Sequence, residues 1–183
     1  MEENRTWYLF SYKVPAEPST LRVRIWRNLK ALGVLYIQQS VCLVPKTPDI
    51  ENKLARLRTL IGEHHGESFM VEIVQFSHYS QQELIQLFNA QRAMEYEELL
   101  ESCSRFLQSI KDEIQTGQDQ FGDIEENEME LMRLKRWYRK IMKRDYFKHE
   151  LSLHSKECLK RCEEKLYSFS EAVYELEGAY HGE

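Results

Sequence analysis

Val34-Leu35-Tyr36-Ile37-Gln38-Gln39-Ser40-Val41-Cys42-Leu43-Val44-Pro45 decides the fold. Two short apolar runs, Val34–Ile37 and Val41–Val44, are split by polar residues and closed by a proline. Such a pair reads as a tight antiparallel hairpin or a bulged bend. Working outward, each side meets a helix. Upstream, Leu21, Ile25, Leu29 and Leu32 recur at helical spacing after an opening at Pro18-Ser19-Thr20, and Gly33 ends the run as a C-terminal glycine does. Downstream, Ile50, Leu54, Leu57 and Ile61 line one face of a helix that starts near Pro48-Asp49 and stops near His64-His65-Gly66. Beyond the helices lie two more strands. Residues 6–14 are β-branched and aromatic and stop at Pro15; in Ser68–Phe76, Phe69, Val71 and Ile73 alternate with Met70, Glu72 and Val74. The order β-α-β-β-α-β, with two helices on one face of an antiparallel sheet, predicts an α+β chain of ferredoxin-like arrangement.

From Ser80 onward no strand signal returns, and helical periodicity runs to the end. A helix over about 80–116 carries Leu99, Cys103, Phe106 and Ile110, and the Gly117-to-Gly122 stretch within Thr116–Asp123 reads as a loop. A helix over about 124–144 buries Leu131, Leu134, Tyr138 and Ile141. A third begins near Ser155 with the stripe Leu159, Cys162, Leu166, Phe169, Val173, Leu176. The expected organisation is residues 1–78 as the α+β module and 79–183 as a C-terminal bundle of three long helices packed with it.

With 183 residues, 42% apolar and 30% charged, the chain suits one sizeable domain or a domain with a helical appendage. A net charge of -5 repels phosphate overall, so any contact with nucleic acid must come from local clustering. No stretch has the ~18 apolar residues needed to cross a bilayer. The polar start Met1-Glu2-Glu3-Asn4-Arg5 is no signal peptide, and four irregularly spaced cysteines form no disulfide framework. These features predict a cytoplasmic protein with reduced thiols and no membrane association.

Two basic sets stand out. Arg22, Arg24, Arg27 and Lys30 lie on the first helix, most of them opposite its apolar face, with Trp26 at the boundary, placed to stack on a base or pack on a neighbour. Arg133, Arg136, Lys140 and Lys143 recur at three, four and three, and eight of the residues 133–148 are basic. Glutamates 125, 126, 128 and 130 crowd the start of that helix, an asymmetry the helix dipole also favours. Both sets are candidate nucleic-acid contacts, and both are also ordinary solvated faces. His154, Cys158 and Cys162 fall at i, i+4 and i+8, but Cys162 belongs to the apolar stripe and no fourth ligand has a zinc-like spacing, so no metal is expected. His64-His65 reads as a helix end and Glu95, Glu97, Glu98 and Glu101 as a solvated face. There is no phosphate loop, nucleophile elbow or cysteine with an evident histidine partner, and neither an enzyme nor a cofactor is expected.

Tyr12-Lys13-Val14-Pro15-x-x-Pro18-Ser19, then Arg22-Val23-x-Ile25-Trp26-Arg27-x-Leu29-Lys30-x-Leu32-Gly33 and Tyr36-Ile37-Gln38-Gln39-Ser40-Val41-Cys42, resemble the opening of the ChrB N-terminal domain. Leu87-Phe88-Asn89-x-x-Arg92-x-x-Glu95-Tyr96 and Arg144-Asp145-Tyr146-Phe147 resemble its later segments, so the likeness covers residues 6 to about 177. The resemblance implies a chromate-resistance regulator-like, non-enzymatic protein that is dimeric and acts in transcription regulation by binding duplex DNA. The alternative is a protein–protein module of the same fold. It further implies a stand-alone N-terminal half, with the ChrB C-terminal domain a possible separate partner, and leaves direct capture of chromate open. A more distant likeness joins the first 77 residues to PaaX repressors, whose winged helix has no room ahead of residue 6, and to small CRISPR-associated nuclease-like subunits. Those subunits carry an aspartate at the metal site where this chain has Lys13, which offers a hard cation no oxygen and argues against a nuclease.

Overall fold

The structure is a computed structural model describing residues 5–17, 19–116 and 121–180, with all their side chains except those of 116, 121, 122 and 176–180. Pro18, Gly117 and the side chain of Leu176, singled out above, lie outside the described residues. The elements are β1 (Trp7–Lys13), α1 (Ser19–Leu32), β2 (Leu35–Gln38), β3 (Val41–Pro45), α2 (Pro48–Glu63), β4 (Glu67–Ile73), α3 (Gln81–Thr116), α4 (Phe121–Met142) and α5 (Leu151–Tyr180). The chain divides into two compact units. The first holds residues 1–90 and 143–147, the second 91–142 and 148–183.

In the first unit, local chemistry sets most boundaries. Gly33 adopts φ 66, a left-handed conformation that costs glycine nothing, and its N–H reaches the Lys30 carbonyl at 3.0 Å to close α1. Thr47 caps α2 by accepting from the Ile50 N–H at 3.2 Å, with Pro48 in the first turn. The decisive stretch is both a hairpin and irregular: β2 and β3 pair antiparallel through a turn at Ser40 (φ 63), and the register shifts between Tyr36 and Gln38. Ser80 and Glu83 bond reciprocally. The Ser80 N–H donates to the carboxylate at 2.7 Å and the Glu83 N–H to the hydroxyl at 3.1 Å, a capping box that starts α3.

The sheet order is β2-β3-β1-β4, every neighbouring pair antiparallel, with Phe10 opposite Cys42 on one side and Met70 on the other. The side-chain period of two gives the sheet two apolar faces. Tyr8, Phe10, Cys42 and Val44 meet Leu21, Ile25 and Leu29 of α1 and Ile50, Leu54 and Ile61 of α2. Trp7 and Leu43 meet Leu84 and Phe88 from the start of α3, with Tyr146 and Phe147 packed alongside. Trp7 stacks on Phe88 at 5.5 Å between ring centres, and its indole N–H donates to Gln81 at 3.0 Å. The fourth strand ends at Ile73, short of the expected Phe76. Its pairing with β1 stops at Trp7, and beyond it the Gln81 side-chain amide donates to both the Arg5 and the Val74 carbonyl in place of a continued ladder.

In the second unit, one apolar cluster gathers Tyr96, Leu99, Cys103, Phe106 and Ile110 of α3, Leu131, Leu134 and Ile141 of α4, and Leu159, Cys162, Leu166, Phe169 and Val173 of α5. The periodicities of the sequence name most of these residues. α5 starts at Leu151, not near Ser155, because the His149 ring accepts the Leu151 N–H at 3.2 Å and caps the helix in place of the usual Ser, Thr, Asp or Asn. Among the described residues no helix is long and apolar enough to cross a membrane.

Candidate functional site

The burial of Leu21, Ile25, Leu29 and Leu32 turns the rest of α1 outward, and Arg22, Arg24, Arg27 and Lys30 are all exposed. Ser19–Leu32 contains no acidic residue, in a chain whose net charge is -5. Arg22 donates to the Ala16 carbonyl at 2.7 Å, a neutral acceptor that anchors its guanidinium without cancelling its charge. The Lys30 ammonium sits 5.0 Å from the centre of the half-exposed Trp26 ring, a cation–π contact. Among the described residues, no carboxylate pairs with Arg24 or Arg27.

Three open grooves flank this helix. One of about 570 Å³ brings together Tyr12, Lys13, Arg22, Trp26, Tyr36 and Ser40, so sequence segments far apart in the chain meet in one aromatic and cationic cleft. Burial, with Tyr12 as a neighbour, pushes the Tyr36 phenol well above its ordinary range and keeps it a neutral hydrogen-bonding group. A second groove of about 520 Å³ is lined by Ser19, Thr20, Arg24, Arg27 and Asn28. A third of about 440 Å³ collects Arg24 from α1, Lys53 and Arg56 from α2, and Lys143. Lys53 is paired with Asp49 at 2.5 Å, whereas Arg56 and Lys143 have no carboxylate partner among the described residues. Sequence reasoning missed Lys13, Lys53 and Arg56 as members of this surface. Lys53 and Arg56 lie three apart on α2, and the helical arc that picked out α1 would have found them.

The second predicted set is split. Arg133, Arg136 and Lys140 are exposed on α4, but that helix ends at Met142, and Lys143 lies beyond it, in the first unit. Arg133 grips Glu130 through two nitrogens, one at 2.7 Å, and this contact holds the Glu130 carboxyl below its ordinary range. Lys135 is paired with Glu163 of α5. Arg136 and Lys140 alone of the stripe keep an uncompensated charge on α4 among the described residues.

The cysteines are arranged differently from the sequence spacing. His154 is exposed, whereas the sulfur atoms of Cys103, Cys158 and Cys162 all lie within 4.8 Å of one another. The Cys162 thiol donates to the Cys103 carbonyl at 3.8 Å. The contact with Cys162 and then burial push the Cys103 thiol up, and burial does the same for Cys158, so both are protonated at neutral pH. Cys42 stands apart, buried against the Phe10 carbonyl at 3.5 Å and pushed up to about 12. His64 ends α2 with its ring 2.9 Å from the Leu60 carbonyl, a cap as the sequence predicts.

Known proteins place this geometry in a family. The family described as "Protein ChrB, N-terminal" matches residues 22–180. The chain is 27% identical over 150 residues to Protein ChrB of Cupriavidus metallidurans (strain ATCC 43123 / DSM 2839 / NBRC 102507 / CH34), a match that covers 80% of this chain and 42% of that protein. The chain thus spans less than half the length of this curated relative. No solved structure matches. The match over residues 22–180, most of α1 and all of the thiol-bearing helices α3 and α5 included, shows that the chain belongs to the ChrB N-terminal family.

Proposed function

We propose that the chain is a chromate-resistance regulator-like protein, without enzymatic activity, that binds duplex DNA through the outward face of α1. One observation carries this reading. Arg22, Arg24, Arg27 and Lys30 project from a helix with no carboxylate, and Arg56 and Lys143 extend the same positive surface through a neighbouring groove. Such a surface suits the regular negative charge of a phosphate backbone, each contact releasing a counterion. In this reading the first unit is a ferredoxin-like module, its strand order and βαββαβ succession supporting that assignment, and α3, α4 and α5 form a three-helix bundle. The protein works in the cytoplasm as a homodimer, with a ChrB C-terminal-like protein as a further partner. Titrating duplex DNA at two salt concentrations tests the proposal. Binding absent even at low salt removes the DNA contact.

A second reading, a protein–protein module of the same fold without DNA contact, draws on the net charge of -5 and on the pairing of Arg133 and Lys135 with Glu130 and Glu163. A size measurement with a pull-down separates the two. A monomer without partners counts against the second.

A further inference from the structure

We propose that Cys103, Cys158 and Cys162 form a three-thiolate site for a soft, three-coordinate ion, with trivalent arsenic the best match. Geometry comes first. Cys158 and Cys162 sit one turn apart on α5 and point to the same side, where Cys103 of α3 completes a triangle whose sulfur atoms lie within 4.8 Å of one another. Bonds near 2.3 Å to three sulfurs put those sulfurs roughly 3.4–4 Å apart, so the three must close by up to about 1 Å on an ion seated at or just above the plane they define.

Charge then selects the ion. The surroundings are the apolar cluster of Leu99, Phe106, Leu159 and Leu166, and among the described residues the buried cation, Arg92, is already paired with Glu95, so it does not offset a net negative complex. Three thiolates on a divalent ion leave one uncompensated negative charge in this core, which is costly. Zinc also wants a fourth ligand, and none stands with the three among the described residues. Trivalent arsenic prefers three sulfurs and yields a neutral complex. One As(OH)3 and three thiols give As(SR)3 and three waters: each sulfur–hydrogen bond is exchanged for a sulfur–arsenic bond, each arsenic–oxygen bond is broken, and no electrons are transferred. Cys158, half-buried at the rim, is the entry point, while Cys103 and Cys162 are fully buried.

The test uses the full reduced chain under anaerobic conditions, titrated with arsenite and, separately, with zinc. The expected result is one arsenic per chain, seen by native mass spectrometry as the mass of arsenic less three protons, with new sulfur–arsenic absorption in the ultraviolet. Zinc should not reach the same stoichiometry. Cys158→Ala, at the rim and least able to disturb folding, should abolish this species, and Cys42→Ala should retain it; circular dichroism confirms that both variants fold. Arsenite that leaves the mass unchanged, a complex that survives Cys158→Ala, or one that disappears with Cys42 would each overturn the proposal. So would preferential one-to-one binding of zinc. None of these outcomes depends on DNA binding.

Discussion

The Tyr146 hydroxyl donates to the main-chain carbonyl of Leu32, so a residue 114 positions farther along the chain satisfies an acceptor at the C-terminal end of α1. The last carbonyls of a helix have no partner inside it and need one from elsewhere. Phe147 beside it stands 5.7 Å from Phe88 and 6.0 Å from Trp7 between ring centres. Together these contacts fasten residues 143–147 to the first unit and put Lys143 in the groove with Arg24 and Arg56.

Tyr146→Phe keeps the ring and removes the hydrogen bond. The Leu32 carbonyl then lacks this donor, at a cost of about 1 kcal/mol. Urea denaturation at neutral pH measures it, and a midpoint equal to that of the wild-type chain would show that the bond contributes nothing.

Two glycines near the end of α2 make opposite predictions. A Cβ on Gly66 would come within 2.9 Å of the Lys13 carbonyl and 2.8 Å of the Ile61 side chain, whereas one on Gly62 meets nothing within 4 Å. Gly66→Ala therefore forces β1 and the chain after α2 apart and destabilises by roughly 1–3 kcal/mol. Gly62→Ala lies in the helix and stabilises by about 0.5–1 kcal/mol. Thermal melts of the two variants should shift in opposite directions.

The capping box gives a pH dependence. Bonds from the Ser80 N–H and hydroxyl hold the Glu83 carboxyl below its ordinary range. A lowered native pKa means that the native state releases its proton more readily than the unfolded chain. The stabilisation is therefore present above the unfolded pKa and lost as pH falls through the native one. Glu83→Gln should destabilise at pH 7 and make no difference in strong acid. Ser80→Ala, which removes the cap itself, should cost about 1 kcal/mol at neutral pH. Denaturant midpoints across the acid range check both, and a Glu83→Gln effect independent of pH would contradict the assignment.

Periodicity made the first unit legible. Leu21, Ile25, Leu29 and Leu32, and likewise Ile50, Leu54, Leu57 and Ile61, are buried as their spacing requires, and the stretch around Ser40 turns back on itself between paired strands. The opposition of charged and apolar sides on α1 was visible for the same reason, since one helix fixes where its own side chains point. What the sequence concealed depends on residues meeting from distant segments. Cys103 joins Cys158 and Cys162 only because α3 and α5 share a core. Lys143 lines the same groove as Arg56 because Tyr146 and Phe147 dock where no local pattern points. The early start of α5 turns on a histidine cap, which the usual capping residues do not signal.

The central claim is that α1 carries the positive surface the protein uses. Its most direct test compares DNA binding of the wild-type chain, an Arg24→Glu/Arg27→Glu variant and an Arg136→Glu/Lys140→Glu variant, which carries the same change in net charge on α4, over a range of salt concentrations. The account predicts that the α1 variant binds at least about tenfold more weakly and that its dependence of log affinity on log salt flattens by roughly 0.9 for each phosphate it no longer neutralises, while the α4 variant changes far less. An α1 variant that binds with wild-type affinity and an unchanged salt slope would contradict it.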